Sequence, residues 1–526
     1  MINDKTAEIL ITMLYLAVYL ALSFVYGKHA LQMFQQNRYE LYRYSKWLFS
    51  KNNIKVTPGL IYAIIVLTVS TLFKKSLMAI MTITLVFTIW LLYKENGKVY
   101  IKDLVLTNRV KRQIFVMVLL MLGFTYASTV IFPPEITGIF SIIMPYLMIY
   151  PMAVITLPFE NMIKKHYENE ARQIIADMPS LIKIGITGSY GKTSTKNIVT
   201  DIISENLFTL MTPASYNTPM GITRTIREQL KPIHEVFVCE MGADKVGDIS
   251  YLMDFVKPQY GVVTSIGPQH LNTFHSLENI IVEKMKEIEM LPEDGVGFIN
   301  LDNEYIADYQ IMNTCKVVSV GIDNKKADYV ARNIKYSKDG SQFEVTINRR
   351  KYAFSTSLLG KHNITNILIG IALGIELGIG IKDIVKNVKK IRQVEHRLEV
   401  KKINGFTFID DAFNSNPVGS KMALDVLAMM PEKRVIVTPG MIDLGAEEAR
   451  INKEFGAYMK GKADHVVLVG EKQTRAIYEG LKEKKYPEKQ ITVCANVREA
   501  FDYVYGHFSS RDTILLENDL PDAFNV

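Results

Sequence analysis

Apolar and polar residues follow two different patterns along this chain. Up to about residue 157, apolar residues form long unbroken runs at Ile9–Gly27, Pro58–Phe73, Ser76–Tyr93, Gln113–Phe132 and Ile136–Leu157. A helix needs about 20 apolar residues to cross a bilayer core, so the second run is marginal and the others suffice. No ionisable residue lies in the middle of a run, which argues against an ion path. We therefore predict an α-helical transmembrane region over residues 1–157 with about five helices.

The charge of the connecting loops predicts the orientation of these helices. Residues 28–56 carry a net charge of +5 and residues 94–112 a net charge of +4, whereas the other two connections carry only Lys74 and Lys75, then Glu135. Basic loops stay on the cytoplasmic side. We expect a multi-pass protein of the cytoplasmic membrane, with everything after Leu157 in the cytoplasm.

The first basic loop also contains several aromatic residues, among them Tyr42, Tyr44 and Trp47. This mixture is typical of an amphipathic helix that lies under anionic lipid headgroups. A docking surface for a lipid-linked substrate is the alternative.

After residue 157 the pattern changes to short β-rich runs that alternate with segments whose apolar residues have helical spacing. Residues 158–180 predict a linker helix that Pro179 ends, and about 23 residues are too few for a separate soluble domain. Residues 181–398 then predict an α/β domain with a mainly parallel sheet and an antiparallel meander within Tyr329–Leu359. The expected strands of that sheet are Ile182–Ile186, Val236–Met241, Tyr260–Ile266, Gly295–Asn300 and Lys316–Gly321.

A second alternating series predicts a Rossmann-like C-terminal domain over residues 399–526. Its expected strands are Phe406–Asp410, Arg434–Thr438, His465–Val469, Ile491–Cys494 and Thr513–Leu516.

Composition narrows the classes of partner. The net charge is +9 in residues 1–157 and −2 in the remainder, so the basic excess belongs to the apolar region and does not indicate a nucleic-acid partner. The three cysteines are too scattered for a disulfide framework or a zinc site, which fits a reducing compartment.

A glycine loop lies between the first predicted strand and the helix after it. It reads Thr187-Gly188-Ser189-Tyr190-Gly191-Lys192-Thr193-Ser194. Backbone N–H groups of such a loop bind phosphates, Lys192 can reach the β- and γ-phosphates, and the Thr193 hydroxyl can bind Mg²⁺. Ile186 occupies the place of the first glycine in the usual motif. The loop predicts a site for a nucleoside triphosphate.

Three polar residues follow strands of the same predicted sheet, where α/β proteins place their ligands. Glu240 ends a strand, His270 follows the next one, and Asn217 lies in a turn. A carboxylate beside a phosphate loop can hold Mg²⁺ directly or through water.

Residues 181–526 resemble the Mur ligase family, the ATP-dependent amide ligases of peptidoglycan precursor synthesis. The resemblance rests on these blocks in order: TGSYGKTS, SYNTPMG, CEMGADKVGDI, TSIGPQHLNTFHS, NLDNE, GKHNITN, EHRLE, DDAFNSNP and PGMIDLG. DDAFNSNP and the stretch GPQHL to LPEDG look most like the members that add D-alanyl-D-alanine.

The resemblance implies a role for each matching residue. Lys192 and the N–H groups of Ser189 to Ser194 would hold the triphosphate, and Thr193 with Glu240 would bind one Mg²⁺. His270 and Lys284 would bind a second Mg²⁺, with Lys284 carbamylated so that it presents an anion. Further expected contacts are Asn363 and Asn366 to adenine, Arg397 to the γ-phosphate, Asp411 to ribose and Asn217 to a phosphate. The implied cofactors are ATP and Mg²⁺.

The sequence leaves three functional hypotheses open. The first is a membrane-anchored ligase that activates the carboxylate of a cell-envelope precursor, which could be lipid-linked, as an acyl phosphate and couples it to an amino acid or dipeptide. This hypothesis is suggested by the position of the five predicted membrane spans. The family's peptidoglycan enzymes have a soluble domain that binds the UDP-sugar at that position. The second is D-alanyl-D-alanine addition to soluble UDP-N-acetylmuramoyl-tripeptide, or poly-amino-acid synthesis. The third is a transporter or regulator driven by the glycine loop.

Overall fold

A computed structural model describes residues 4–50, 62, 64–66, 68, 77–96, 103–132, 134–337, 340–394, 396–412, 417–442, 444 and 447–518. The chain divides into two compact units, Met1–His166 and Tyr167–Val526. Each unit is described separately below.

The first unit is helical. Its helices are α1 Asp4–Gln36, α2 Leu41–Leu48, α3 Leu77–Asn96, α4 Asn108–Ile131, α5 Pro134–Leu147 and the first part of α6 Ile149–Ala176. The predicted run Pro58–Phe73 lies largely outside the described residues.

The apolar run Ile136–Leu157 is helical apart from one turn residue, Met148, which divides α5 from α6. Pro145 and Pro151 cannot donate backbone hydrogen bonds, but Met148 N and Met152 N still donate to Met144 O at 2.7 Å and to Met148 O at 3.1 Å, so the helical ladder continues across the turn. From there α6 runs without interruption through residues 158–176, so the predicted linker is the second part of a longer helix.

The first unit buries both apolar and polar side chains between its helices, and it also exposes many large apolar side chains. Leu22, Phe34 and Met117 are among the buried apolar residues. The buried polar set includes Thr84, Thr88, Gln113, Thr125 and Ser128, and the exposed apolar set includes Ile89, Phe115, Leu119, Val130 and Ile131.

Among the described residues, two segments are long and apolar enough to cross a membrane, Asn108–Ile131 and Ile139–Ala176, the second of which takes in the end of α5 and all of α6. Only 22% and 39% of their apolar windows are buried, whereas the core helix of a soluble protein would be mostly buried.

The second unit begins within α6 and contains two sheets. Ala171 and Ile175 of α6 pack into its core, and Glu168 accepts a 2.6 Å hydrogen bond from the Tyr251 hydroxyl. The first sheet has nine strands in the order β2-β3-β1-β4-β5-β6-β7-β8-β9, parallel as far as β7 and antiparallel from there on, which confirms the predicted parallel sheet and its meander. The strands are β1 Ile182–Thr187, β2 Thr209–Met211, β3 Val236–Glu240, β4 Tyr260–Val263, β5 Val296–Asn300, β6 Lys316–Gly321, β7 Tyr329–Ser337, β8 Gly340–Ile347 and β9 Arg350–Thr356.

Helices cover both faces of this sheet. One face packs against α7 Lys192–Ile203, α13 Lys361–Glu376 and α14 Ile381–Lys389. The opposite face packs against α8 Pro219–Gln229, α9 Asp248–Val256, α11 Leu277–Glu289 and α12 Glu304–Ala307, and the short α10 Leu271–Phe274 precedes α11. Because helices cover both faces of the central strands, every residue of β3 is buried.

The second sheet has six strands in the order β10-β11-β15-β12-β13-β14, and all but β10 are parallel. Its strands are β10 Glu399–Ile403, β11 Phe406–Asp411, β12 Arg434–Thr438, β13 His465–Val469, β14 Ile491–Cys494 and β15 Thr513–Glu517. Its helices are α15 Pro417–Ala428, α16 Glu448–Tyr458, α17 Glu471–Glu483 and α18 Val497–His507. Apart from the antiparallel edge strand β10, this is the predicted Rossmann-like arrangement.

Candidate active site

The glycine loop connects β1 to α7 and requires its two glycines. Gly188 has φ of 148° and Gly191 has φ of 83°, both in the region that favours glycine. A Cβ atom on Gly188 would lie 2.2 Å from Thr264 Oγ1, so a larger residue cannot fit. Lys192 Nζ donates hydrogen bonds to the carbonyl oxygens of Gly188 at 2.7 Å and Ser189 at 3.1 Å, which holds its ammonium group at the loop.

The segment after β4 fixes the position of this loop. Ser189 N donates to Ser265 O at 2.6 Å, and Thr264 Oγ1 donates to Tyr190 O at 2.6 Å. The Tyr190 hydroxyl donates to Pro268 O at 2.7 Å, and burial raises its pKa to about 12, so it stays a donor at neutral pH. The glycine loop is thereby joined to the segment that leads to His270.

Glu240 lies at the end of β3 with 1% of its surface exposed. Its Oε1 accepts a hydrogen bond from Asn217 Nδ2 at 2.9 Å, and its Oε2 accepts one from Lys196 Nζ at 3.2 Å. Lys196 Nζ also donates to Ala214 O. Burial lowers the pKa of Lys196, while the adjacent carboxylate opposes that effect. Asn217, predicted to contact a phosphate, therefore contacts Glu240 in this structure.

His270 and Lys284 converge on the turn that contains Ala243 and Asp244. His270 Nε2 lies 3.4 Å from Asp244 Oδ1, and Lys284 Nζ donates to Ala243 O at 3.5 Å. Lys284 is 1% exposed, and burial together with the charge of Lys192 lowers its pKa to about 7. A substantial share of this side chain is therefore an uncharged amine at neutral pH.

Two buried glutamates flank Lys284 on the same helix. Glu283 accepts backbone hydrogen bonds from Gly247 at 2.9 Å and Ile249 at 2.6 Å, so it caps the start of α9. Neither carboxylate oxygen of Glu287 has a hydrogen-bond partner among the described residues. Burial raises the pKa of Glu287 to about 8, so it is mostly protonated at neutral pH.

The two asparagines of GKHNITN occupy the first turns of α13. Asn366 lies beside the glycine loop, since its Oδ1 would be 3.7 Å from a Cβ atom on Gly191. Asn363 instead donates to Leu359 O at 2.8 Å and is buried. Thr193 and Ser194 are half-buried in the first turn of α7.

Arg397 and Asp411 belong to the start of the second Rossmann-like part. Burial lowers the pKa of Arg397, and the charges of Asp411 and Glu240 act on it in the opposite sense. Asp411 accepts from Leu398 N at 3.1 Å, and burial raises its pKa to about 6 although Arg397 opposes the shift. The Arg397 charge also lowers the pKa of Lys192, so Arg397 lies within electrostatic range of the glycine loop.

The structure thus places the phosphate-loop residues, Glu240, Asn217, Asn366, Lys284 and Arg397 around one region, with His270 on its more exposed side. Sequence reasoning did not find Lys196, Asp244, Glu283 or Glu287. Helical spacing could have indicated Lys196, which is one turn from Lys192, and Glu287, which is one turn from Glu283. Their partners lie on other strands and helices, which a single sequence does not reveal.

These residues fit ATP and Mg²⁺. The cradle at Gly188, which a Cβ atom would fill, and the ammonium group of Lys192 suit a triphosphate. The described residues contain no cluster of three or more His, Cys, Asp or Glu side chains that could hold a metal alone. Mg²⁺ needs no such cluster, because it takes one or two protein ligands together with substrate phosphates and water.

Two family models match the chain. The Mur ligase middle domain matches residues 186–374, and the Mur ligase glutamate ligase domain matches residues 396–517. The UDP-N-acetylmuramoyl-tripeptide–D-alanyl-D-alanine ligase of Bacillus subtilis is 30% identical over 338 residues, which cover 64% of this chain and 72% of that protein. The enzyme of the same name from Escherichia coli is 30% identical over 297 residues, which cover 56% of this chain and 65% of that protein. The chain thus spans about two thirds of the length of these relatives.

Solved structures agree on the fold. MurF from Acinetobacter baumannii aligns with a TM-score of 0.61 at 23% identity, covering 68% of this chain and 77% of that one. MurF ligase from Thermotoga maritima in complex with ADP aligns with a TM-score of 0.61 at 21% identity, covering 69% and 81%. The fold and the glycine loop define a nucleotide-binding α/β protein with two Rossmann-like parts. The chain belongs to the Mur ligase family, whose members are ATP-dependent carboxylate–amine ligases.

Proposed function

We propose that this chain is a membrane-anchored Mur ligase that joins D-alanyl-D-alanine to a muramoyl-tripeptide. The observation that carries the proposal is that Lys192 of the glycine loop lies within electrostatic range of both buried Glu240 and buried Lys284 in a chain of this family. ATP supplies the γ-phosphoryl group that converts a carboxylate into an acyl phosphate, and an amine then displaces phosphate to form the amide. Family membership argues against the transporter hypothesis.

The residues of the chain would divide this work between them. Lys192 and the N–H groups at the start of α7 hold and neutralise the phosphates, while Glu240 and Thr193 hold Mg²⁺ next to them. Arg397 adds a second positive charge from the C-terminal part, and Asp411 stands beside it. Asn363 and Asn366 are assigned to the adenine side, and His270 with Lys284 to a second Mg²⁺. Closure of the C-terminal domain would exclude water from the acyl phosphate.

Carbamylation requires an uncharged lysine amine, and Lys284 can supply it. An uncharged amine attacks CO₂, a C–N bond forms, and one proton is lost, which leaves a carbamate anion. A pKa of about 7 makes the uncharged amine available at neutral pH. The carbamate would bring an anionic oxygen towards the turn at Asp244, where an ammonium group would repel Mg²⁺.

The substrates follow from the relatives. The enzymes named above are D-alanyl-D-alanine ligases of a UDP-N-acetylmuramoyl-tripeptide, which favours that pair over the less specific precursor expected first from the sequence. A lipid-linked acceptor is the second candidate. It is favoured by the many large apolar side chains that the helices of the first unit expose, as expected for helices in lipid. On this proposal residues 1–157 form the membrane region, and residues 181–398 and 399–526 are the two cytoplasmic ligase domains.

The test uses the full chain in detergent with ATP, Mg²⁺ and D-alanyl-D-alanine. One arm adds UDP-N-acetylmuramoyl-tripeptide and the other adds a lipid-linked muramoyl-tripeptide, and mass spectrometry follows coupling with loss of water. Product in the first arm supports the main proposal. Product only in the second arm would mean that the acceptor is the lipid-linked precursor and not the UDP-linked one. Lys192→Ala and Glu240→Ala should abolish both products. ATP hydrolysis without any amide product would refute the ligase proposal.

Membrane anchoring has its own test. Carbonate extraction of membranes that contain the full chain should leave it in the pellet. Release into the supernatant would refute the anchor without affecting the ligase assignment.

A further inference from the structure

Helix α9 contacts the surroundings of Lys284 at its first turn and the end of α6 further along. It has nine residues, Asp248–Val256, and is therefore about 13 Å long. Residues 167–176 of α6, all of α9 and all of α11 belong to the second unit. The contacts with Lys284 and with α6 are thus made by one short, continuous helix.

The first turn of α9 is bound by the neighbour of Lys284 on α11. Glu283 accepts hydrogen bonds from Gly247 N at 2.9 Å and from Ile249 N at 2.6 Å, one with each carboxylate oxygen. Glu283 is buried, with 2% of its surface exposed. A carboxylate at this position satisfies N–H groups that have no partner within the helix, and it is stabilised by the positive end of the helix dipole. Because Glu283 and Lys284 are adjacent, a shift of this turn acts on the backbone that carries Lys284.

The same turn of α9 also orders the Asp244 turn, residues 243–247. Asp248 Oδ2 accepts hydrogen bonds from the N–H groups of Asp244 and of the residue after it, at 2.9 and 3.1 Å. The Asp244 turn is the one that His270 and Lys284 contact, through Asp244 Oδ1 and through the carbonyl oxygen just before Asp244. The position of both contacts therefore depends on Asp248.

The later turns of α9 are bound to α6. The Tyr251 hydroxyl donates to Glu168 Oε2 at 2.6 Å, and burial together with Glu168 raises the pKa of Tyr251 to about 12, so it stays a donor at neutral pH. Arg172 donates to Asp254 O at 2.9 Å and to Asp254 Oδ2 at 3.0 Å, and its guanidinium lies 5.0 Å from the centre of the Phe255 ring. Apolar residues of both helices also share one buried cluster, which includes Ala171, Ile175, Leu252, Met253, Phe255 and Val256.

Only one helical turn separates the two sets of contacts on α9. Tyr251 follows Asp248 by three residues, which places both on neighbouring turns. Backbone hydrogen bonds join consecutive turns of a helix, so a helix of nine residues moves largely as one body. A displacement of α9 at Tyr251 therefore also displaces Asp248 and the N–H groups that Glu283 binds.

We propose that Glu168 and Arg172 of α6, together with Tyr251 of α9, are positioning residues for Lys284. Through α9 they hold the Asp244 turn in the place that Lys284 requires. The link from α6 to the Asp244 turn stands on the contacts alone, whereas its effect on coupling rests on the proposed function. The end of α6 precedes the part of the chain that matches the family models, so family membership does not assign it this role.

The link is tested by hydrogen exchange of the full chain in detergent, read by mass spectrometry. A peptide over the Asp244 turn reports on N–H groups that donate to the carboxylates of Asp248 and Glu283. The double variant Tyr251→Phe with Arg172→Gln loses hydrogen bonds between α6 and α9. The Asp244 turn should therefore exchange about three- to tenfold faster than in the parent. A peptide over the glycine loop should exchange at the parent rate.

The matched control breaks an equivalent contact between α6 and a different helix. Arg227, in the last turn of α8, donates to Glu170 of α6 at 2.8 Å, and its guanidinium lies 3.9 Å from the centre of the Tyr167 ring. Arg227→Gln thus removes an ion pair and a ring contact, as Arg172→Gln does, and the Asp244 turn should keep its parent rate. An equal rise in this control would show general loosening and overturn the proposal, as would no rise in the double variant.

The link should also act in the opposite direction, because coupling between two sites is reciprocal. Glu283→Gln weakens the hold on the first turn of α9, so a peptide over residues 171–176 of α6 should exchange faster than in the parent. An unchanged rate in that peptide would overturn the link.

Coupling assays report on Lys284 itself. The double variant should need about three- to tenfold more bicarbonate for half-maximal coupling, with the KM for ATP unchanged. A fall in kcat at an unchanged bicarbonate requirement would show a merely structural effect and overturn the positioning role. A parent protein that forms no amide would refute the proposed function, and the exchange measurements would still decide whether the link exists.

Discussion

Lys196 and Glu240 form a buried ion pair, with Nζ and Oε2 3.2 Å apart and each side chain only 1% exposed. Asn217 donates to the other carboxylate oxygen, so the orientation of Glu240 is fixed from two sides. A buried pair of this kind adds little net stability, because desolvation offsets the attraction between the charges. On the proposed function, the pair orients a carboxylate that binds Mg²⁺ beside the phosphate loop.

Replacement of Lys196 by Met should therefore destabilise the protein and impair coupling. An unpaired buried carboxylate costs about 3–5 kcal/mol, and Glu240 would lose the hydrogen bond that orients it. Urea unfolding of the full chain in detergent and the Mg²⁺ dependence of coupling measure the two effects.

A second substitution separates these effects. Glu240→Gln added to Lys196→Met removes both charges, so stability should recover while coupling stays lost. Failure of the double variant to regain stability would show that Lys196 acts through its packing and not through Glu240. Lys386→Met, a change of a cation on α14, serves as the control and should leave both measurements unchanged.

Gly188→Ala should abolish ATP binding while the fold is kept. The added methyl group would lie 2.2 Å from Thr264 Oγ1, and φ at this position is 148°, so the loop must move away from its phosphate-binding shape. Gly461→Ala is the matched control, because Gly461 also has positive φ, 79°, but nothing lies within 4 Å of its added Cβ atom. Binding of a fluorescent ATP analogue and circular dichroism would distinguish the two. Normal ATP affinity in Gly188→Ala would contradict a phosphate role for this loop.

Coupling should depend on bicarbonate more strongly at low pH. Burial and Lys192 lower the pKa of Lys284 to about 7, so the uncharged amine that attacks CO₂ becomes scarce below that pH. Added bicarbonate should therefore raise the coupling rate at pH 6 more than at pH 8, after correction for the CO₂ present at each pH.

Lys284→Ala provides the companion measurement. This variant should lose most of its coupling activity, and a short carboxylate such as acetate should restore part of it by replacing the carbamate oxygens. Lys286→Ala, two residues further along α11, should behave like the parent and show no response to acetate. An unaffected Lys284→Ala enzyme would remove this residue from the site.

How well the sequence predicts an element or a contact depends on whether the residues that stabilise it lie nearby in the sequence or far away. Strands Arg434–Thr438 and His465–Val469 begin and end as predicted, because buried β-branched runs between turn residues have few other conformations. The edge strand Glu399–Ile403 was missed, since its sequence EVKKI lacks such a run and half of it faces solvent. The Lys196–Glu240 pair could not be predicted either, because it joins α7 to β3 across 44 positions of sequence.

The pH dependence of stability offers a test of the buried carboxyl group of Glu287. Its pKa is raised by burial to about 8 from an ordinary value of 4.5, so the folded protein binds a proton there that the unfolded chain releases. This contribution to stability is fully present below pH 4.5 and is lost as the pH rises through 8, at up to about 1.4 kcal/mol per pH unit. Glu287→Gln keeps the shape and removes the titration. Relative to the parent, its free energy of unfolding should increase steadily between pH 5 and 8 and then level off. Glu289→Gln, a change on the same helix, should track the parent across that range, and a flat difference for Glu287→Gln would show that Glu287 is ionised in the folded protein.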